Sequence, residues 1–313
     1  MSALNVSRRA PLRRKFHTLD VFTDTPFSGN PLAVVLDCEG LSEARMQAVA
    51  REFNLSETVF VLEPHDPVNT ARLRIFTPTA ELPFAGHPTI GTAALIGELR
   101  APEMLAGQGV GIAIEEQVGV ISCTVRRGQG GVVQASFDLP RLPEFLGEGP
   151  AADALAAALG LESSDIGFDA HRPGLWSAGN PFTFVPVASL EAIGRVRPDA
   201  GLFASTLAGP RPAALLYTKE TAREGSHIHA RMFAPGLGII EDPATGSAAA
   251  AFAGVAALFE QPEDGDHLLV IEQGFEMGRP SEIHLRLQIE GGALVGASVG
   301  GAVVRVSEGM IEA

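Results

Sequence analysis

Cysteine is nearly absent from this chain of 313 residues, which contains only Cys38 and Cys123. Neither residue has a CxxC neighbour, so the sequence does not indicate a zinc site or a redox pair of that kind. Two free thiols are the simple expectation, and they are typical of a reducing compartment. We therefore expect a cytoplasmic protein.

Long apolar runs are also missing. No stretch of ~18 apolar residues predicts a transmembrane helix, and residues 1–22 lack the apolar core of a secretory signal. Positive charge is scarce as well, since 23 Lys and Arg stand against 37 Asp and Glu, for a formal net charge of -14. Nucleic acids and anionic membranes bind clustered positive charge, so we expect neither as a partner.

Hydrophobic residues are abundant, at 46% of the chain, together with 35 Gly and 22 Pro. This composition is typical of a compact α/β protein with many turns. The length predicts two domains. We place them at residues 15–140, completed by a C-terminal strand near 297–308, and at residues 141–296.

Local patterns alternate between strands and helices. Residues 16–23 and 32–37 predict an opening hairpin, and Ser42 is expected to cap a helix that ends near Asn54. Residues 139–150 are expected to form a loop. Further strands are predicted at 58–63, 70–77, within 110–138, and at 181–187, 213–218, 227–233 and 282–306. Further helices are predicted after Gly86, at 151–160, near 189–195 and after Gly246.

The two halves of the chain contain matching motifs. SGNPLAVVLD at 28–37 resembles AGNPFTFVPV at 178–187, and the segment that starts at Arg74 resembles the one that starts at Arg231. Short Gly-rich matches also arise by chance, but two motifs in the same order favour a duplication. We therefore expect a cleft between two similar domains.

Each half places a turn of small residues at the start of a predicted buried helix, at residues 86–87 and 246–247. Unpaired N–H groups and the positive end of the helix dipole favour a carboxylate at such a start. Close packing of the two helices is the alternative explanation for the glycines.

Two carboxylates break the repeat. Asp242 aligns with Leu82, and Glu57 aligns with the segment 201–210, which contains no carboxylate. Chemistry usually needs different groups on the two sides of a duplicated scaffold, so both are candidate catalytic residues. Glu57 could otherwise be an ordinary surface residue, and Asp242 could be a helix N-cap.

Four motifs resemble the PhzF family of phenazine biosynthesis, and the resemblance extends over nearly the whole chain. They are FxGNPLAVV at 27–35, NLSET at 54–58, FAGHPTIGTA at 84–93 and EDPATGSAA at 241–249. The family fold is similar to that of diaminopimelate epimerase and, more distantly, proline racemase. The resemblance implies an α/β (α+β) protein with two pseudo-symmetric epimerase-like domains, each a curved mixed β-sheet wrapped around a central helix.

The resemblance also implies a homodimeric isomerase that acts on a small carboxylate without a metal or an organic cofactor. It gives Glu57 the role of general acid and base, assisted by His87 and Asp242. It places four further residues around the substrate: Ser56, Gly86, Gly246 and Ser247. Asn30 and its repeat partner Asn180 are weaker carry-overs from the epimerases, and of these two we include Asn30 among the expected substrate-binding residues.

The chain departs from the epimerases and racemases at the two helix starts. Those enzymes use a pair of cysteines there, whereas this chain has Ala85 and Thr245, which excludes a mechanism with two thiols. Proton removal from one face and return from the other needs two groups. A single Glu57 therefore favours isomerisation along one face over racemisation.

Several other patterns do not indicate a functional site of their own. His227 and His229 invite a metal site but have no third ligand at a suggestive spacing. Ser177 lacks the first Gly of a nucleophile elbow, and GQGVG at 107–111 lacks the spacing of a dinucleotide site. Arg74, Arg231 and Trp176 are candidates for selecting the substrate, and the alternative for the repeat-matched Arg74 and Arg231 is that they are strand-surface residues. The competing function is a non-catalytic binder of small acids, or a structural dimer, on the same fold.

Overall fold

The structure is a computed structural model that describes residues 13–207, 209 and 212–313. The expectation about a secretory signal falls partly on residues 1–12, which lie outside this range. The strands are β1 Arg13–Val21, β2 Asn30–Val35, β3 Glu57–Leu62, β4 Ala71–Phe76, β5 Glu81–Leu82, β6 Val110–Glu116, β7 Gly119–Arg127, β8 Val133–Asp138, β9 Glu144–Glu148, β10 Gly174–Ser177, β11 Pro181–Pro186, β12 Ala214–Thr218, β13 Ile228–Ala234, β14 Ile239–Asp242, β15 Gly265–Gln273, β16 Ser281–Glu290 and β17 Ala293–Glu312. The α-helices are α1 Glu43–Phe53, α2 Gly86–Arg100, α3 Ala152–Leu159, α4 Leu190–Arg195, α5 Ala200–Thr206 and α6 Gly246–Glu260.

In the first half, the strands pair around α2. The order is β1, β2, β3, β4, β6, β7, β8, and β17 pairs with both β8 and β1, so the pairings form a closed circuit. Residues 86–97 of α2 are all buried. A helix that is apolar on every side needs such a position, because it has no face to turn toward water.

The second half repeats this arrangement around α6. Its strands pair in the order β9, β10, β11, β12, β13, β15, β16 and β17. Residues 248–256 of α6 are buried and are mostly alanine, which lets the surrounding strands approach closely. The predicted fold, with two pseudo-symmetric sheets that each wrap a central helix, is confirmed.

The last strand, β17, belongs to the sheets of both halves. Residues 293–300 pair with β16, residues 298–303 with β8, and residues 303–312 with β1. The division into domains at residues 15–140 and 141–296 stays a prediction.

The prediction of helix α1 from its two cap residues, Ser42 and Asn54, is confirmed. The Ser42 hydroxyl accepts a hydrogen bond from the Arg45 N–H, and Asn54 ends the helix in the left-handed conformation with φ 51. These are the roles that a Ser N-cap and an Asn C-cap usually have.

Two predictions about the second half are wrong. The predicted loop at 139–150 contains β9, which pairs with β10. Helix α5, at Ala200–Thr206, occupies most of the segment that was aligned with Glu57. Residues 208 and 210 of that segment lie outside the described range.

The strand register identifies the true counterpart of Glu57. In the first half, Thr58 pairs with Phe76. In the second half, Ala214 pairs with Phe233, the repeat partner of Phe76. The residue that precedes Ala214 is Ala213, so the second half has an apolar group where the first half has Glu57.

In the part of the chain that the structure describes, no helix combines the length and the apolar character needed to cross a bilayer.

Candidate active site

Glu57 is the first residue of β3, and its side chain lies on the face of the sheet that packs against α2. Val59 and Val61 alternate with it along the strand and join the core around that helix. Glu57 is only 7% exposed. Burial raises the pKa of its carboxyl to about 8, and the nearby Asp242 carboxylate adds to the effect.

His87 is the second residue of α2 and lies next to Glu57. Its Nε2 is 3.2 Å from Glu57 Oε2, although the two atoms are not aligned for a hydrogen bond. Burial lowers the pKa of His87 to about 3. Because burial disfavours both charged forms, we regard the resting pair as a neutral imidazole beside a protonated carboxyl.

Asp242 is the last residue of β14 and approaches the same region from the second half. Its Oδ1 accepts a hydrogen bond from Asn30 Nδ2 at 2.9 Å, and its Oδ2 accepts one from the Thr245 hydroxyl at 2.6 Å. Burial raises the pKa of Asp242 to about 6, while the two hydrogen bonds act in the opposite direction. The N-cap of α6 is Thr245, so the N-cap alternative for Asp242 is wrong.

The N-termini of α2 and α6 face each other. A Cβ atom on Gly86 would lie 3.1 Å from the Cα and carbonyl carbon of Gly246, and 3.1 Å from the Ser247 nitrogen. Ala85, the N-cap of α2, has no side-chain acceptor, and Thr245 uses its hydroxyl on Asp242. The first N–H groups of both helices are therefore available to an anion.

The other predicted substrate-binding residues differ in burial. Asn30 is fully buried, whereas Ser56 and Ser247 are half-buried at the edges of the site. Asn180 is exposed. Asn30 of the first half bonds to Asp242 of the second half. The corresponding partner of Asn180 would be Leu82 of the first half, which has no carboxylate.

Three buried polar atoms of the site have no hydrogen-bond partner among the described residues. They are Asn30 Oδ1, Glu57 Oε2 and His87 Nε2. Buried polar atoms are normally paired, and an unpaired group indicates a missing partner or a functional role. A bound molecule with its own polar groups would supply those partners.

Two buried residues near the helix starts were not predicted. Gln273, at the end of β15, bonds to Asp242 and Thr245. Its counterpart Glu116, at the end of β6, accepts a hydrogen bond from the Thr89 hydroxyl at 2.6 Å, and burial raises its pKa to about 8. A third pair of matching motifs, IEE at 114–116 and IEQ at 271–273, is the sequence signal that could have indicated these two residues.

Arg74 and Arg231 lie on the outer faces of their strands. Arg74 pairs with Glu81 and Arg231 with Glu241, each through two hydrogen bonds. Arg231 also donates to the backbone of α4, on the side of the sheet away from α6. Neither guanidinium group reaches the candidate active site, so the position of Arg74 and Arg231 favours the alternative that they are strand-surface residues.

His229 is buried between two carboxylates. Its Nδ1 is 2.7 Å from Glu272 Oε1 and its Nε2 is 3.0 Å from Glu276 Oε1, and these hydrogen bonds outweigh burial and raise its pKa to about 9. His227 is exposed and accepts from the Val270 N–H. Among the residues that the structure describes, no group of three or more His, Cys, Asp or Glu is arranged to hold a metal ion.

Comparison with solved structures identifies the class of fold. A hydroxyproline epimerase from Agrobacterium vitis superposes with a TM-score of 0.59 at 12% sequence identity, over 96% of this chain and 92% of that one. At this identity the likeness concerns the fold alone. The chain has the two-sheet fold of this class of epimerases and racemases.

Closer relatives identify the family. The model of the PhzC-PhzF family, described as phenazine biosynthesis-like protein, matches residues 19–309. A Bacillus anthracis phenazine biosynthesis protein of the PhzF family superposes with a TM-score of 0.84 at 30% identity, over 96% of this chain and 99% of that one. The chain belongs to the PhzC-PhzF family, as its motifs predicted.

Curated relatives indicate the general activity. An uncharacterized isomerase of Mesorhizobium japonicum is 50% identical, over 95% of this chain and 98% of the relative. The trans-2,3-dihydro-3-hydroxyanthranilate isomerase of Pseudomonas aeruginosa is 36% identical, over 94% and 98%. The prediction that this chain is an isomerase of the PhzF type is confirmed.

Proposed function

We propose that this protein moves a proton between two carbons of a small carboxylic acid, and that Glu57 takes and returns that proton. The observation that carries the proposal is the surroundings of Glu57. Its carboxyl is buried, lies 3.2 Å from the neutral His87 ring, and has a pKa raised to about 8. A group that must both accept and donate a proton works best with a pKa near the working pH.

The facing helix starts support a substrate carboxylate in this site. The free N–H groups of residues 86–87 and 246–248 and the positive ends of two helix dipoles stabilise negative charge. They would also stabilise charge that moves from the breaking C–H bond into a conjugated carboxylate. Asn30 Oδ1 and His87 Nε2 offer unpaired polar atoms to the remaining groups of the substrate.

The asymmetry of the site supports isomerisation along one face. The counterpart of Glu57 is Ala213, which has no proton to give or take. In the proposed reaction, the ionised form of Glu57, a minority below pH 8, takes a proton from one carbon, and the electron pair of that C–H bond shifts the double bond. Glu57 then returns the proton to another carbon on the same face.

The substrate we propose is a cyclic, conjugated carboxylic acid, since one relative is named a trans-2,3-dihydro-3-hydroxyanthranilate isomerase. The proton transfer needs only the side chains described above, so we propose that it proceeds without an organic cofactor or a metal.

The test is deuterium incorporation in heavy water, followed by NMR for trans-2,3-dihydro-3-hydroxyanthranilate and a panel of cyclic and amino carboxylic acids. We expect exchange in the wild type and its loss in Glu57→Gln. Glu116→Gln is the matched control, because it removes another buried carboxyl whose pKa is also raised to about 8. Exchange that survives in Glu57→Gln would contradict the proposal. Thermal stabilisation by the same acids without exchange would favour the binding function instead.

We also propose a homodimer, on the basis of the family motifs. Light scattering on the purified full chain should give twice the mass of one chain. A mass that stays at one chain over a wide concentration range would exclude it.

A further inference from the structure

Gln273 is buried and bonds both to the backbone of Asp242 and to Thr245, whose hydroxyl donates to the Asp242 carboxylate. Its Nε2 donates to the Asp242 carbonyl oxygen at 2.7 Å and to the Thr245 hydroxyl oxygen at 3.1 Å. Its Oε1 accepts from the Thr245 N–H at 3.2 Å. The residue is 1% exposed.

The direction of each hydrogen bond in this network is determined by the backbone. The Asp242 carbonyl can only accept, and the Thr245 N–H can only donate, so the Gln273 amide has one possible orientation. Its NH₂ group therefore donates to the Thr245 hydroxyl. That hydroxyl has its own proton left to donate, and Asp242 Oδ2 lies 2.6 Å away to receive it.

Asn30 donates a hydrogen bond to the other oxygen of the Asp242 carboxylate, and the backbone again determines its direction. Its Nδ2 donates to the Ala244 carbonyl oxygen at 2.8 Å, which identifies that atom as the amide nitrogen. The same nitrogen donates to Asp242 Oδ1 at 2.9 Å. Each carboxylate oxygen thus has a hydrogen-bond donor beside it. The Asn30 amide nitrogen can only donate, and the Thr245 hydroxyl, which accepts from Gln273, has its single proton available for Asp242.

We infer that Gln273 is a positioning residue that, through Thr245, holds Asp242 as the ionised carboxylate and leaves the proton of the site on Glu57. The inference rests on the proposed function of Glu57. Two nearby buried carboxyl groups disfavour a double negative charge, so the group with the better donors keeps the charge and the other keeps the proton.

The residues at the corresponding positions of the first half cannot form this hydrogen-bond network. Ile114 lies opposite Ala71 in β4 as Ile271 lies opposite Ile228 in β13, so Glu116 is the counterpart of Gln273. Leu82 and Ala85 stand in the places of Asp242 and Thr245. A network that only supported the duplicated fold would be expected in both halves. The presence of this hydrogen-bond network in one half alone favours a role in the chemistry of the site.

Carbon-13 NMR of the labelled carboxyl groups in the full-length protein tests the inference without any substrate. Asp242→Asn and Glu57→Gln assign the two signals. In the wild type, Asp242 should titrate below Glu57. In Thr245→Val, which replaces the hydroxyl by a methyl group of similar size, the Asp242 midpoint should rise by about one pH unit, because a donor to the charged form has been removed.

Gln273→Met should move the Asp242 midpoint in the same direction, and the double variant should move it no further than Thr245→Val alone. Thr245→Ser keeps the hydroxyl and should restore the wild-type midpoint. An unchanged midpoint in Thr245→Val would overturn the inference, whether or not Gln273→Met folds. Because the titration needs no turnover, a failure of the exchange assay would count against the proposed function alone.

Discussion

Glu57 and Glu116 are buried carboxyl groups with similar pKa values and different neighbours. Glu57 faces His87, with Asp242 close by, whereas Glu116 accepts a hydrogen bond from Thr89 inside the first half. Burial alone therefore does not distinguish a candidate catalytic group from a structural one. The neighbours do, and they lead to different predictions for the two residues.

The first prediction concerns the pH dependence of proton exchange. The ionised form of Glu57 takes the proton, and its pKa is raised to about 8. The apparent kcat/KM for exchange should rise about tenfold per pH unit below pH 8 and level off above it. Initial exchange rates between pH 6 and 9 measure this. A rate that is flat over that range would show that Glu57 is not the base.

The second prediction concerns stability and Glu116. Its pKa is raised from 4.5 to about 8 in the folded protein, so between these values the folded state binds a proton that the unfolded state has lost. This contribution to stability is complete below pH 4.5 and is lost as the pH rises to 8, by at most about 1.4 kcal/mol per pH unit.

Glu116→Gln cannot ionise, so its stability relative to the wild type should increase from pH 5 to pH 8. Urea unfolding of both proteins across that range measures the difference, and the other titrating groups cancel in it. Parallel stability curves would show that the Glu116 carboxyl ionises as easily in the folded state as in the unfolded one.

Much of the candidate site could be predicted from the sequence, because its motifs are short and continuous. Glu57, His87 and Asp242 each sit in a segment that contrasts with its repeat partner. Gln273 and Glu116 were missed because they bond to residues more than twenty positions away, and only strand pairing brings those residues together. The exposure of Asn180 could not be predicted from its own motif either, because it depends on a residue of the other half, Leu82, which offers no hydrogen-bond partner.

At the scale of elements, the decisive feature is the contact between the starts of α2 and α6. Gly86 permits it, because any side chain there would meet the backbone of Gly246 and Ser247 at 3.1 Å. At their starts, both helices carry a glycine, Gly86 in α2 and Gly246 in α6, so the site depends on two backbones that approach closely.

The third prediction follows from that contact. Gly86→Ala should push the helix starts apart by a few tenths of an ångström and lower the exchange rate, by less than the about 100-fold expected for a misplacement of 1 Å. Gly194→Ala in α4 is the matched control, because a Cβ there meets nothing within 4 Å. It should leave exchange unchanged and raise stability by up to about 1 kcal/mol. Equal exchange rates in the two variants would contradict the role of the contact.

Elements with strong local signals were predicted well, and those that depend on distant partners were not. Helix α1 has its cap residues at both ends, so its bounds could be found from the sequence. Strand β9 lies in a Pro-rich segment and forms because it pairs with β10. Nothing within residues 139–150 indicates that partner.

At the scale of the whole molecule, β17 makes the two halves depend on each other. It pairs with β16 along its first part and with β8 and β1 further on. Gly300 lies in the middle, where a Cβ atom would come within 2.6 Å of Ser136 Cβ and 2.8 Å of the Ala135 oxygen. The pairing of β17 with β8 therefore needs glycine at this position.

The fourth prediction is that Gly300→Val lowers the free energy of unfolding by about 1–3 kcal/mol, the range expected for overpacking. Trp176, the single tryptophan, reports on the second half. Its fluorescence transition in urea should move together with the circular dichroism of the whole chain. Gly111→Val is the control, since that strand position has open space. A tryptophan transition that stays in place would show that the halves unfold independently.

The path of β17 also bears on how the protein is made. The ribosome releases the first half of the chain long before residues 298–312 have been synthesised, yet those residues complete the circuit of strands around α2. Until then β1 and β8 present two unpaired edges, which are the places where chains aggregate. The nascent chain should therefore need protection, by a chaperone or by rapid folding of its second half, until residues 298–312 have been synthesised.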